Sequence, residues 1–224
     1  MNPALGQALD VKIGAPSTFR NMTVFPLLSG TGKAADYITL DDALAQKLAV
    51  ITEVSEGGSV PELQFVNRGG KNIFLLDGEE LVGAKQNRIL NLSIMVPAWK
   101  TLIIPVSCVE AGRWHHYGRV FASAPRAQYA EGRARKMAQV SASMKFSGSR
   151  ASKQHAVWED IDMKFCKFGL SSSTAAMSDI FEQQSAQLED YVRSFTPAEG
   201  QIGAVFAIEG KVVGLELFDS PETL

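Results

Sequence analysis

Apolar and polar residues alternate with a period of two through most of the first half of the chain, and helical spacing becomes prominent only after Arg119. A period of two places one apolar face against a core, so the first half reads as a series of strands. These strands run over Val24 to Leu28, Val50 to Val54 and Glu62 to Asn67. Asp77-Gly78, between Ile73-Phe74-Leu75-Leu76 and Leu81-Val82, predicts a two-residue hairpin, because both residues tolerate the positive φ that a type I′ turn needs. From Ile89 to Val96 the residues Leu90, Leu92, Ile94 and Val96 share one face of a further strand. In the next strand Leu102, Ile104, Val106 and Cys108 share one parity, and Glu110 continues it, so Cys108 and Glu110 are expected side by side. One short helix, Asp41 to Ala49, interrupts the series behind the capping pattern Thr39-Leu40-Asp41-Asp42. Connections this short do not permit parallel crossovers, so the sheet is expected to be largely antiparallel.

Past Arg119 the spacing of Met137, Val140 and Met144 predicts a helix from Ala127 to Met144 despite Gly132. Ser141 to Ser152, rich in Ser, Gly, Lys and Arg, reads as a mobile segment with the makings of a lid. Trp158, Ile161, Phe165 and Phe168 mark an amphipathic helix from Lys153 that Gly169 stops. A third helix follows Ser171-Ser172-Ser173-Thr174, carries Met177, Phe181, Leu188, Tyr191, Val192 and Phe195, and ends at Pro197. The tail folds back at Glu209-Gly210 as a hairpin that extends or caps the sheet. The expectation is an α+β fold: a largely antiparallel β-sheet or sandwich core with two or three helices grouped in the C-terminal half. A single domain is expected over 1–224, with a β-rich part at 20–120 and 200–219 and a helical part at 126–196.

Composition narrows the class. An apolar content of 46% supports a real core, and a net charge of −2 disfavours a general nucleic-acid binder. No run of about 18 apolar residues and no secretory leader pattern is present, so a cytoplasmic protein away from membranes is expected. Two cysteines, Cys108 and Cys166, make no disulfide framework. With three histidines besides, no metal site is expected, and the sequence leaves any cofactor unknown. Ser29-Gly30-Thr31-Gly32-Lys33 resembles a phosphate loop but has Leu27 where the motif needs Gly and Ala34 where it needs Ser or Thr. It reads as a turn. Charge is also unevenly spread: between Arg119 and Lys153 stand eight basic residues against one acid, Glu131. That segment is either a solvated helix face or a field that attracts a phosphate-bearing ligand.

The chemistry concentrates between Leu75 and Arg119. Lys85, Gln86, Asn87 and Arg88 follow one strand, and Glu110, Arg113 and Trp114 follow another. Folded side by side, they would form a rim suited to a small anionic, hydrogen-bonding ligand. Lys85, Arg88 and Arg113 would take phosphate, Gln86 and Asn87 a ribose or base edge, and Trp114 an aromatic ring. Gln154, one turn before Trp158, is placed to reach the rim from a helix start. For turnover the candidates are Glu110 and Glu80 as an acid and base pair on a glycosidic or phosphate linkage, and Cys108 as a nucleophile with His115 or His116. Each has a structural alternative. Cys108 shares its parity with core residues, Glu79 and Glu80 follow a turn, Trp114 could close a core, and the amides could serve turn hydrogen bonds.

Several of these motifs together resemble one bacterial family. They are Gly83-Ala84-Lys85-Gln86-Asn87-Arg88, then Pro105-Val106-Ser107-Cys108-Val109-Glu110 with Gly112-Arg113-Trp114, then Gln154 with Val157-Trp158. The closing Gly-Lys-Val-Val-Gly hairpin with Leu217-Phe218-Asp219 completes the set. From about Val60 onward the chain is similar to the ARG-and-rhodanese-phosphatase-superfamily-associated protein domain, a family of unknown function. The resemblance implies genomic company with ADP-ribosylglycohydrolases and rhodanese-superfamily phosphatases, and hence ADP-ribose, NAD or phosphoryl chemistry. Two functions follow as expectations. One is an enzyme or sensor acting on a phosphate-bearing nucleotide or nucleotide sugar through Glu110, Lys85, Arg88 and Arg113; the other is a non-catalytic β-rich module that binds a ligand or a protein.

Overall fold

In the computed structural model, which describes residues 11–30, 34–55, 57, 59, 61–115 and 118–224, the expected alternation becomes an α+β fold. In chain order the strands are β1 (Val11–Ile13), β2 (Ser17–Phe19), β3 (Met22–Ser29), β4 (Tyr37–Thr39), β5 (Ala49–Glu53), β6 (Glu62–Asn67), β7 (Asn72–Leu75) and β8 (Glu79–Gly83). They continue as β9 (Arg88–Leu90), β10 (Ile94–Val96), β11 (Thr101–Cys108), β12 (Phe121–Ala127), β13 (Gln201–Ile208) and β14 (Lys211–Leu217). The helices are α1 (Leu40–Ala45), α2 (Ala130–Ser147), α3 (Gln154–Phe168), α4 (Met177–Gln183) and α5 (Ser185–Ser194). Strand pairing is antiparallel except between β4 and β7. Among the described residues no helix is long and apolar enough to cross a membrane.

The chain divides into two compact units. The smaller joins the described residues before Tyr37 to Ala186–Leu224 around a five-stranded sheet. The long strand β3 pairs along its length with β13, and its other edge takes β1 near one end and β2 near the other. The tail hairpin turns at Glu209 and Gly210, both at positive φ (51° and 76°), and adds β14 at the sheet edge. It thus builds a sheet with β3 and does not extend the one that carries the candidate site. Tyr191 of α5 donates to Asn21 Oδ1 at 2.6 Å and stacks edge-on against Phe19.

The larger unit, Tyr37–Ser185, holds the candidate residues. Six strands follow one another in the order β12-β8-β9-β11-β6-β5, and a bridge between Thr52 and Val120 joins the two ends into a ring. Alternation then has a clear meaning. Ala49, Ile51, Leu63, Phe65, Leu81, Leu90, Ile104, Val106 and Phe121 share one buried core with Ile73 and Leu75 of the sheet β10-β7-β4 and with Leu40 and Ala43 of α1. The opposite side of β9 buries Ile89 with Val109 under Val157, Ile161 and Phe165 of α3 and Met177 and Ile180 of α4. Every residue of β9 is therefore buried.

Several expectations are corrected. Asp77-Gly78 makes a turn, with Glu79 N–H donating to Leu76 at 3.2 Å and Gly78 at φ 82°, but no hairpin. The turn hands the chain from β7 in the three-stranded sheet to β8 in the ring. What fixes it lies elsewhere in the chain: Gly78 N–H donates to Leu90 at 3.0 Å, and Lys136 and Arg133 of α2 hold the Asp77 carboxylate. The strand expected from Ile89 to Val96 is likewise two strands in two sheets. Asn91 interrupts it, because its amide donates to the Arg150 carbonyl at 3.1 Å and accepts from Ser107 Oγ. The helix expected from Asp41 to Ala49 stops at Ala45, where Gln46 caps it. The expected third helix breaks at Gln184 into α4 and α5. Ser141 to Ser147 continue α2 as far as Gly148, and Ser152 Oγ is bonded to Ser107, so the expected mobile segment is largely helix and anchored loop. Strand β12, with Pro125 and small residues, carries no legible alternation. The turn at Thr31 to Lys33 lies outside the described residues.

Candidate functional site

Two corners of the ring meet at one mouth. After β8 the chain turns through Gly83 and Ala84, both at positive φ (135° and 41°). Only glycine fits at 83, since a Cβ there would lie 2.7 Å from the Val120 carbonyl oxygen. The turn delivers Lys85, Gln86 and Asn87 to the start of β9. Beyond β11 the chain bridges Ala176 at Glu110 and passes so close to Thr174 that Gly112 N–H donates to its carbonyl at 2.8 Å.

These corners lock together through Glu110 and Arg113, which are 6% and 3% exposed. Arg113 approaches Glu110 Oε2 with Nε at 2.8 Å and Nη2 at 2.6 Å. Its Nη1 donates to the Ala84 carbonyl at 2.9 Å and its Nη2 to Asn87 Oδ1 at 2.9 Å. Glu110 Oε2 also accepts from the Asn87 N–H at 3.2 Å, and Oε1 accepts from Thr174 Oγ1 at 3.1 Å. Gln86 completes the clamp with its amide on the Glu110 carbonyl. Each charge is satisfied by several partners, as a buried pair must be to offset its desolvation. The expected neighbours therefore meet, but in a structural clamp.

Arg88 is arranged differently. It is fully buried on the inner face of the ring, opposite Leu81 on β8 and Cys108 on β11. Gln86 holds its Nη1 with the side-chain oxygen at 2.9 Å and the carbonyl at 3.2 Å. The other edge of the guanidinium, Nε and Nη2, is buried with no hydrogen-bond partner among the described residues. That edge is the fork that binds oxyanions in bidentate fashion. Across the ring Glu53 ends β5, its side chain 7% exposed, and its Oε1 lies 3.9 Å from Nη2. Neither Glu53 oxygen has a hydrogen-bond partner among the described residues. Trp114 closes this end half-exposed, with Lys85 Nζ 5.5 Å and Arg88 Cζ 5.6 Å from its ring centroid. Lys85 also donates to the Gly57 carbonyl.

The remaining candidates lie around this core. Cys108 is fully buried, and burial pushes its thiol up to about 11, so it is protonated near neutral pH. His115 is exposed and contributes its carbonyl to Arg113 at 3.3 Å, while His116 lies outside the described residues. Gln154 reaches Cys108, but with both ends of its amide on that residue's backbone at 2.8 Å, as a neighbouring strand would. Glu80 is fully buried on the outer face of the ring, paired with Arg126 Nε at 2.7 Å. Burial raises its carboxyl to about 7. Half of the basic residues of the Arg119 to Lys153 segment are paired with acids in space. Arg126 meets Glu80 and Glu182, Arg133 and Lys136 meet Asp77, and Arg135 meets Glu131 and Asp160.

Glu53 and Thr174 were not singled out in the sequence. A signal existed for Glu53: it is an acid on the parity of Ala49 and Ile51, the same pattern that drew attention to Glu110. Thr174 had none, because a serine-rich turn hides which hydroxyl meets a carboxylate. A comparison with curated proteins and with solved structures returns no match. A family comparison matches residues 10–224, so the similarity extends well before Val60 and over nearly the whole chain. The chain belongs to the family described as the ARG and Rhodanese-Phosphatase-superfamily-associated Protein domain.

Proposed function

We propose that the mouth of the ring binds a small phosphate-bearing ligand of the nucleotide or nucleotide-sugar class. The observation that carries this reading is the buried fork of Arg88, whose Nε and Nη2 have no hydrogen-bond partner among the described residues, with Nη1 held by Gln86. A buried guanidinium edge left unpaired costs stability, and an oxyanion seated on it offsets that cost. Lys85, over the same Trp114 ring as Arg88, supplies a second cation, and the exposed part of that indole offers contact to a base. Glu53 supplies an acceptor for hydroxyls. The family's implied association with ADP-ribose, NAD or phosphoryl chemistry points to the same ligands.

Binding takes precedence over turnover in this reading. Both Glu110 oxygens are engaged by Arg113, Asn87 and Thr174, and the Cys108 thiol is protonated, which leaves neither poised for proton transfer or attack. The test is calorimetric titration of the chain with ADP-ribose, NAD, AMP and inorganic phosphate, followed by chromatography of each mixture. At least one is expected to bind and to be recovered intact, with affinity lost in Arg88→Lys, which keeps the charge without the fork, and reduced in Trp114→Ala. No binding by any of the four overturns the site. Conversion to product overturns the non-catalytic half of the reading.

A further inference from the structure

We infer that Glu53 sets the specificity of this site, selecting a ligand that carries an O–H donor beside its oxyanion. The inference rests on the reading that the Arg88 fork receives that oxyanion. Its own observation is different: a second buried group on the facing wall, of the opposite charge, that lacks a hydrogen-bond partner among the described residues.

A carboxylate and a guanidinium that serve only to neutralise each other close to hydrogen-bond distance, as Arg113 and Glu110 do at 2.6 Å. Arg88 and Glu53 stop at 3.9 Å, although both are buried and each has side-chain atoms with no hydrogen-bond partner among the described residues. The strands explain the gap. In the order β12-β8-β9-β11-β6-β5, closed on itself, β9 and β5 stand on opposite sides of the ring, so the backbone fixes the span and the side chains must bridge it. The Nη1 anchor on Gln86 fixes the guanidinium's orientation, and Glu53 is the last residue of β5.

An oxygen that accepts from Nη2 comes to rest beside the Glu53 carboxylate. If that oxygen and its neighbours are all deprotonated, two anions face each other where water is scarce, and the contact is repulsive. If one of them bears a proton, the contact becomes a charge-assisted O–H···O bond, among the strongest neutral-pH contacts available. Phosphate and phosphate monoesters keep an O–H over part of the physiological range, and a ribose places hydroxyls near its phosphate. Sulfate offers neither. The selected chemistry is therefore an oxyanion with an adjacent O–H, drawn from the phosphoryl group or from the sugar.

Two matched pairs distinguish the sources when titrated into the full chain by calorimetry near pH 6.5: inorganic phosphate against sulfate, and AMP against 2′,3′-dideoxy-AMP. The native chain is expected to prefer the O–H-bearing member of at least one pair by about tenfold or more. Glu53→Gln, which keeps the shape and removes the charge, is expected to level that pair. Preference in the first pair assigns the donor to the phosphoryl group, and preference in the second to the sugar. Equal binding within both pairs by the native chain overturns the role of Glu53 while leaving the Arg88 site standing, and so does a preference that survives in Glu53→Gln. No binding of any of the four overturns the Arg88 site itself.

Discussion

Glu80→Gln tests the electrostatics of the larger unit most directly. The Glu80 side chain is fully buried, and its carboxyl rises from an ordinary 4.5 to about 7 because burial penalises the charged form more than Arg126 favours it. A folded-state value above the unfolded one means that the native protein binds the proton more tightly. The stability this gives is fully present below about 4.5 and is lost as pH rises through about 7. At about 1.4 kcal/mol per pH unit, the loss amounts to about 3 kcal/mol across that window. Glutamine mimics the protonated acid and does not titrate. In the variant Arg126 keeps Glu182 at 3.4 Å and is itself 21% exposed, so its loss of a partner costs little against that figure. Urea unfolding of both proteins between pH 4.5 and 8 isolates the group, since Glu79, also raised to about 7 by burial, titrates identically in each. The two stabilities should nearly coincide at the acid end, and the variant should gain progressively, reaching about 2 to 3 kcal/mol in its favour by pH 8. A variant that is less stable at pH 8, or a difference that does not change with pH, refutes the reasoning.

Two further outcomes follow from the clamp and the ring. Arg113→Leu leaves the Glu110 carboxylate buried without its main partner and should cost about 3 to 5 kcal/mol in denaturant unfolding, whereas an exposed pair such as Arg193 with Glu189 should cost under about 1 kcal/mol when Arg193 is removed. Iodoacetamide at pH 7 should modify exposed Cys166 in the native protein and spare buried Cys108 until denaturant is added, as peptide mass spectrometry reads; rapid native labelling of Cys108 contradicts its burial and its raised thiol.

Much of the site's neighbourhood was legible before any fold was known, because its signals are local. Glu62 to Asn67 alternates over its whole length and is a strand with those same ends. Gly169 stops α3 in the left-handed conformation that its position predicts. The run from Gly83 to Arg88 stands out as a polar corner between apolar strands, and Glu110 as an acid where an apolar face ends, and the structure brings both to one mouth. The two arginines show where local signals stop. Arg88 and Arg113 look equivalent in the chain, yet Arg113 is saturated by Glu110 and Asn87 while Nε and Nη2 of Arg88 have no hydrogen-bond partner among the described residues.

What the sequence determined by itself was therefore which segments are strands or helices and which of their faces are apolar, since period and capping act between residues a few positions apart. Only the tertiary structure decided which strands became neighbours. Asp77-Gly78 has the chemistry of a hairpin turn, but Lys136 and Arg133, more than fifty positions away, hold it as a passage between two sheets. The positive excess between Arg119 and Lys153 was reduced for the same reason, with Arg126, Arg133, Arg135 and Lys136 matched by acids from other elements. Glu53 met Arg88 only because six strands closed into a ring. Alternation tells a side chain which side of its sheet to take; closure of the sheet tells it what stands opposite.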